Sequence, residues 1–280
     1  MSASRPGPRR AAVLGKPIAH SRSPLLHLAA YRALGLTDWS YDRIECDAAQ
    51  LPVLVDGFGP EWVGVSVTMP GKFAALQVAD ARTDRAALLG SANTLVRADD
   101  GWLADNTDVD GVAGALRPVL PERPGPAVVL GSGGTAPAAV AGLAALGVPA
   151  VTVVSRSRER AAATLAVAHG SGLGADWLAL DDANTAALST VIAGADALVS
   201  TVPAEVAGHF ADALAAAPVL LDAIYNPWPT PLARAVAAAG GQVLGGLAML
   251  LNQAYTQVEL FTGMPAPREA MAAALDECAT

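Results

Sequence analysis

The stretch Ala127-Val-Val-Leu-Gly-Ser-Gly-Gly-Thr-Ala136 decides how this chain is read. Apolar residues run straight into Gly131-x-Gly133-x-x-Ala136, and an alanine-rich segment continues to Leu146, so the passage reads strand, tight turn, helix. A dinucleotide turn needs that order. The first glycine lets the chain reverse, the second lets backbone N–H groups approach a pyrophosphate, and a small third residue lets helix and strand pack closely. Pro137 fits the first helical turn, where its missing N–H costs nothing.

A glycine pattern alone also serves plain strand-to-helix connectors, and the next strand separates the two readings. Val148 to Val154 is an apolar, β-branched run that ends in Ser155-Arg156-Ser157-Arg158, where an NAD site places an acidic residue on the ribose. No carboxylate stands there. Arginine flanked by hydroxyls suits a 2′-phosphate held by paired, charge-assisted hydrogen bonds. The expected cofactor is therefore NADP(H). Gly131, Ser132, Gly133, Gly134, Thr135 and Ala136 are expected along the pyrophosphate, with Ser155, Arg156 and Ser157 at the 2′-phosphate.

The 280 residues suffice for two domains and a sizeable core. With 52% hydrophobic and 16% charged residues, a buried sheet covered on both faces is favoured over long disorder. A net charge of −8, with no basic stripe beyond the N-terminal tail, speaks against a nucleic-acid partner. Cys46 and Cys278 lie far apart, with no CxxC pair and no secretory signal, so free thiols in a reducing, cytoplasmic setting are expected. The charge-free span from Pro124 to Ser155 raises the question of a membrane helix. Gly131, Gly133, Gly134, Pro137, Gly147 and Pro149 would break such a helix, yet they fall where a buried strand-helix-strand unit needs turns. No membrane partner is expected.

Met1 to Arg10 reads as a loose basic tail, and Ala11 to Leu14 as a strand. The turn Gly15-Lys-Pro-Ile-Ala-His-Ser-Arg-Ser-Pro24 leads into a helix over Leu25 to Leu34, with Ser23 as its N-cap. Ser21 has no capping role, and two hydroxyls beside a helix N-terminus suit an anion such as a carboxylate. Strands are expected at Trp39 to Cys46 and Trp62 to Val67, with helices at Leu51 to Asp56, Phe73 to Val78 and Arg82 to Leu88. This alternation gives a small, mainly parallel sheet without a glycine turn of its own. Ser91 to Arg97 and Trp102 to Asn106 read as a hairpin, followed by a helix from Val109 to Leu120 and the Pro-rich joint 121–126. Strands near Trp177 to Leu180, Ala197 to Thr201, Val219 to Ile224 and Gln242 to Leu244 continue the glycine turn as an open, doubly wound sheet. Helices over Leu247 to Phe261 and Arg268 to Glu277 close the chain.

Lysine occurs only at positions 16 and 72, against sixteen arginines. Lys72 follows a strand end, in Ser66-Val-Thr-Met-Pro-Gly-Lys72, and strand ends are where ligands meet an α/β sheet. A lysine can release its proton when its neighbours shift it, and an arginine cannot. Lys72 therefore reads either as a proton-transfer group or as an ordinary surface lysine, and Lys16 as the latter. Asp108, at the exit of the hairpin, reads as an N-cap of the following helix or as a carboxylate near both substrate and cofactor. His20, His27, His169 and His209 have no metal-like spacing, and no metal is expected.

Together, Gly15-x-Pro-Ile-x-His-Ser-x-Ser-Pro24, Val67-Thr-x-Pro-x-Lys72, Ala92-Asn-Thr94, Asn106-Thr-Asp108, Gly131-x-Gly-Gly134, Tyr225-x-Pro227 and Met249-Leu-x-x-Gln253 resemble shikimate dehydrogenase, the actinobacterial type most closely. The resemblance covers nearly the whole chain after the tail. It implies an α/β enzyme of two domains: a substrate domain over 1–108 and a Rossmann-like NADP domain over 109–246. The helices of 247–280 would pack back on the substrate domain. It further implies reversible NADPH-dependent reduction of 3-dehydroshikimate to shikimate, in aromatic amino-acid biosynthesis. On that likeness Ser21, Ser23 and Tyr225 hold the substrate carboxylate, while Thr68, Asn93 and Gln253 contact the ring hydroxyls. Lys72 and Asp108 form the catalytic pair, and Thr201 and Gly246 join the cofactor site. A homodimer is compatible with this reading.

The sequence departs from the family pattern at three places. Leu28 follows His27 where many relatives have Asn, Ser66 precedes Val67-Thr68 where Asn is common, and Ser155 and Ser157 replace the Asn-Arg-Thr context of the clamp. A quinate or shikimate/quinate dehydrogenase using NAD is the same-fold alternative, and Arg156 argues against it. A nucleotide-sensing protein without catalysis is the other, and binding alone would not require both Lys72 and Asp108.

Overall fold

The computed structural model describes residues 8–276. The expected tail up to residue 7, Cys278 and the end of the last helix at Glu277 lie outside the described residues. The chain divides into two compact units, Met1–Thr107 with Ala254–Thr280, and Asp108–Gln253.

The first unit is built on strands β1 (Arg9–Gly15), β2 (Trp39–Glu45), β3 (Trp62–Val67), β4 (Ala81–Arg82), β5 (Thr94–Ala98) and β6 (Gly101–Asp105), in the order β2-β1-β3-β5-β6-β4. β1 pairs in parallel with β2 and β3, and β4 in parallel with β6, whereas β3-β5 and β5-β6 are antiparallel. A strand covered on both faces reads as an apolar run, and Ala11, Ala12, Val13 and Leu14 of the interior strand β1 are all buried. Helices Leu51–Asp56 and Lys72–Val78 cover one face, where Leu14, Leu51, Val55, Val65, Val67, Leu76 and Leu95 share one core.

The second unit holds β7 (Ala127–Leu130), β8 (Ala150–Ser155), β9 (Gly174–Ala179), β10 (Ala197–Ser200), β11 (Val219–Asp222) and β12 (Gln242–Leu244), in the order β12-β11-β10-β7-β8-β9. Every pair is parallel. The order turns back on itself at β7, as in a doubly wound sheet, and the crevice at such a reversal is where α/β sheets take ligands. All four residues of β7 and of β10 are buried, and Val128, Leu130, Leu198 and Leu220 pack with Leu188, Ile192, Leu214 and Leu232 from the covering helices.

Several element boundaries differ from expectation for local reasons. Ser23 is not the N-cap but the first residue of helix Ser23–Ala33, whose N-cap position is Arg22, with no side-chain cap; the Ser23 N–H donates to Ser21 Oγ at 3.3 Å. The helix expected from Arg82 begins at Asp84, because Ala81–Arg82 pairs with β6 and Thr83 takes the Ala86 N–H as N-cap. The linking helix is Asp108–Leu116 rather than Val109 to Leu120. Helix Gly246–Thr262 runs through residue 253, where the division into units falls. No helix among the described residues is long and apolar enough to cross a membrane.

Candidate functional site

In the first unit the predicted residues collect at one edge of the sheet. β1 and β3 end there, β5 begins there, and the antiparallel β6 returns to it. Backbone bonds tie the loops together: Thr68 N–H to Leu14 O at 2.8 Å, Lys16 N–H to Met69 O at 3.0 Å, Val67 N–H to Asn93 O at 2.7 Å and Ala92 N–H to Lys72 O at 2.9 Å. Gly15 lets Thr68 approach β1 this closely, since a Cβ on it would stand 2.4 Å from Thr68 Cγ2. Ser21, Ser23, Lys72 and Asn93 are all buried, with Thr68 half-buried. Arg43 donates two hydrogen bonds to Ser21 O, at 2.9 and 2.6 Å, and so fixes the serine loop. Lys16 is exposed and pairs with Asp47 at 3.8 Å, an ordinary surface contact.

The polarity of Asn93 is fixed by a group that can only donate. Thr107 N–H reaches Asn93 Oδ1 at 2.7 Å, and Thr94 Oγ1 donates to the same oxygen at 2.8 Å. Asn93 Nδ2 is thereby the donor end of the amide and reaches Thr107 Oγ1 at 3.1 Å. Asp105 anchors the following turn. Arg85 holds both carboxylate oxygens, through Nε to Oδ1 at 2.6 Å and through Nη2 to Oδ2, while Thr83 Oγ1 donates at 2.7 Å. Burial alone would raise this carboxyl, but Arg85 and Thr83 hold it below the usual carboxylate range.

Behind this edge lies a polar group that sequence reasoning missed. Gln257 is buried; its Oε1 accepts from Ser66 Oγ at 2.8 Å and its Nε2 donates to Thr94 Oγ1 at 2.9 Å. Tyr41 OH donates to Ser66 Oγ at 2.6 Å, and His27 Nε2 lies 3.3 Å from Gln257 Oε1. One amide thus joins helix Gly246–Thr262 to β3, β5 and helix Ser23–Ala33, with Tyr41 of β2 attached through Ser66. The sequence offered one clue, since Gln257 stands one helical turn after Gln253.

The second unit presents the cofactor candidates at the edge where its parallel strands end. Gly131 has φ +117°, and a Cβ on it would fall 2.3 Å from Thr201 Oγ1. Thr201 Oγ1 itself donates to Leu130 O at 3.0 Å, closing β10 onto β7. A Cβ on the exposed Gly133 would meet nothing within 4 Å, so the turn leaves open space where a pyrophosphate could approach backbone N–H groups. Ser132, Gly134 and Thr135 are half-buried around it, and Ala136 is buried at the start of helix Ala136–Ala145. At the end of β8, Ser155 is buried and Arg156 is exposed. Ser157 is the N-cap of helix Arg158–Gly170.

Tyr225 lies on the loop after β11, which Asp222 pins at two points. Asp222 Oδ2 accepts from Thr230 Oγ1 at 2.7 Å and Oδ1 from Ile224 N–H at 3.2 Å. The strand expected to reach Ile224 stops at Asp222 for that reason. Burial pushes this carboxyl up against the lowering effect of those bonds. Gly246 is buried and donates its N–H to Ile224 O at 3.1 Å. Asp108, also buried, is the first residue of its helix, and Gln253 is half-buried. Among the described residues no group of three or more His, Cys, Asp or Glu could hold a metal ion.

The chain is similar to known proteins over most of its length. Residues 13–95 match the family model of the shikimate dehydrogenase substrate binding domain, and residues 246–275 that of the shikimate 5′-dehydrogenase C-terminal domain. Residues 127–244 match the saccharopine dehydrogenase NADP binding domain. The chain is 39% identical to a shikimate dehydrogenase (NADP(+)) of Methylobacterium radiotolerans, covering 92% of this chain and 93% of that one. A crystal structure of Mycobacterium tuberculosis shikimate dehydrogenase is 64% identical with a TM-score of 0.90, covering 97% and 100% of the two chains. The Thermus thermophilus enzyme in complex with NADP(H) and shikimate is 30% identical with a TM-score of 0.78, covering 96% and 99%.

Two expectations follow from this geometry. Gly131→Ala places a methyl group in strained backbone and against Thr201, and should cost about 2 to 4 kcal/mol in denaturant unfolding. Gly133→Ala should leave stability within about 0.5 kcal/mol and weaken dinucleotide binding about ten-fold or more. Unchanged binding in the second variant removes the pyrophosphate role. His27 supplies the other expectation. It is fully buried, stacked on Tyr41 with centroids 4.0 Å apart, and burial lowers its pKa to about 3 although Gln257 partly opposes this. The folded ring stays neutral while the unfolded ring takes a proton near pH 6.5. Stability is therefore complete above that value and lost as pH falls toward 3. Between pH 7 and 5 the wild type should lose about 2 kcal/mol more than His27→Gln. Parallel stability curves would contradict the buried neutral ring.

Proposed function

The chain belongs to the shikimate dehydrogenase family, and from that membership we propose that it catalyses the reversible, NADPH-dependent reduction of 3-dehydroshikimate to shikimate. The observation that carries the reading is Lys72, a lysine buried at the sheet edge where β1 and β3 end, beside an asparagine whose amide orientation is fixed. Its place in biosynthesis is the step that supplies shikimate to the formation of aromatic amino acids. A reducing, cytoplasmic setting suits the buried free thiol of Cys46.

Gly131 to Ala136 fit a pyrophosphate, on the open space above Gly133, and Arg156, exposed just past the end of β8, fits a 2′-phosphate. Ser155, Ser157, Thr201 and Gly246 complete the cofactor set. NADPH supplies the hydride to the carbonyl carbon when bound. The protein's part is to hold the carboxylate, orient the ring and deliver a proton to the carbonyl oxygen. Ser21, Ser23 and Tyr225 take the carboxylate. Asn93, Thr68 and Gln253 contact the ring hydroxyls. Lys72 and Asp108 are the groups that move the proton, and reversal of the reaction returns it to the same pair.

Lys72→Arg keeps the positive charge and removes the usable acid. Single-turnover reduction at saturating substrate should fall roughly a hundred-fold or more while NADPH affinity persists. Near-normal rates would show that charge suffices and would move the proton donor elsewhere. Shikimate and quinate, each assayed with NADP and NAD, test the substrate and cofactor directly; preference for quinate with NAD would overturn this reading.

A further inference from the structure

Both serines of the proposed 2′-phosphate seat already commit their hydroxyl proton within the protein. Ser155 Oγ donates to Ser157 O at 3.0 Å and accepts from Trp177 Nε1 at 3.0 Å. Ser157 Oγ donates to Glu159 Oε2 at 2.6 Å and accepts from Arg160 N–H at 3.3 Å. A hydroxyl carries a single proton, and phosphate oxygens ionised at neutral pH only accept. The Ser157 hydroxyl can therefore donate to a 2′-phosphate only by releasing Glu159.

Glu159 is well placed to compete. It stands in the first turn of helix Arg158–Gly170, 13 residues long, where the N-terminal end favours an anion, whether a side-chain carboxylate or a phosphate. The Ser157 hydroxyl, its own backbone N–H and the Arg158 charge hold its carboxyl below the usual range. It is thus an anion under the conditions in which cofactor binds. A cofactor without the phosphate presents a ribose hydroxyl, which can donate to a carboxylate as in NAD sites.

We propose that Glu159 is a specificity-determining residue of the cofactor site. Its carboxylate occupies the Ser157 hydroxyl that a 2′-phosphate would use, and so narrows the preference for NADP over NAD. The proposal rests on the assignment of Arg156 and Ser157 to the 2′-phosphate. It explains how a chain with a clamp arginine can carry an acidic group two residues past its clamp serine: the internal anion offsets part of the arginine's preference for a phosphate.

The test is equilibrium titration of NADP and NAD into the wild type, Glu159→Gln and Arg156→Ala, at low and high salt. Glu159→Gln should tighten NADP on the order of three- to ten-fold and leave NAD unchanged or weaker, with the gain shrinking as salt screens the exposed charge. Arg156→Ala should weaken NADP roughly ten-fold or more relative to NAD. If Arg156→Ala behaves so and Glu159→Gln leaves NADP affinity unchanged or lower, the clamp stands and the role of Glu159 is overturned. If Arg156→Ala weakens both cofactors equally, the clamp assignment fails and the proposal falls with it.

Discussion

Parallel pairing sends the ends of successive strands to the same edge of a sheet, and both units depend on that constraint. In the second unit every strand pair is parallel, so the glycine turn, the Ser155–Ser157 segment, Thr201, the Tyr225 loop and Gly246 must all emerge along one edge. In the first unit the hairpin β5-β6 is antiparallel, yet it serves the same end. Its first strand starts, and its second strand finishes, at the edge where β1 and β3 terminate. A hairpin therefore brings Asn93 and Asp105 to the loops of Ser21 and Lys72 without another crossover helix.

Direction collects the loops, and buried hydrogen bonds then fix their conformation. Arg85 and Thr83 on Asp105, Thr230 and Ile224 N–H on Asp222, and Ser66 and Thr94 on Gln257 have one logic. A buried polar group left without a partner costs about 1 to 3 kcal/mol, so each such group excludes loop conformations that would strand it. Positioning is thereby carried by residues that need never touch a ligand.

The parts of this structure that were legible in the sequence are those with a local cause. Gly131 must adopt a positive φ beside Thr201, Pro137 sits where no N–H is needed, and apolar runs mark strands covered on both faces; each leaves its trace within a few residues. Ser23 precedes proline and fits the usual N-cap pattern, yet the helix starts one residue earlier than that pattern implies, with Arg22 at the cap position. Gln257 was not legible because its partners stand at positions 27, 66 and 94. A polar residue on a half-buried helix looks the same in sequence whether it faces water or a buried serine. Asp222 hid at the end of an apolar run, and only the fold shows that its carboxylate ends the strand.

Hydrogen-bond direction is where the structure adds most to the sequence, because it is fixed by groups that cannot reverse. A backbone N–H only donates and an ionised carboxylate only accepts, so the hydroxyls and amides between them have their orientation decided for them. Thr107 N–H settles Asn93, whose Nδ2 must then be the donor. Glu159 settles Ser157 from the opposite end, because an ionised carboxylate 2.6 Å away takes the only proton the hydroxyl has. Residue type alone made Asn93 and Ser157 equivalent candidates for polar contact. Proton counting separates them: Asn93 has its acceptor end satisfied and its donor end defined, whereas Ser157 must exchange one anion for another before it can serve a cofactor.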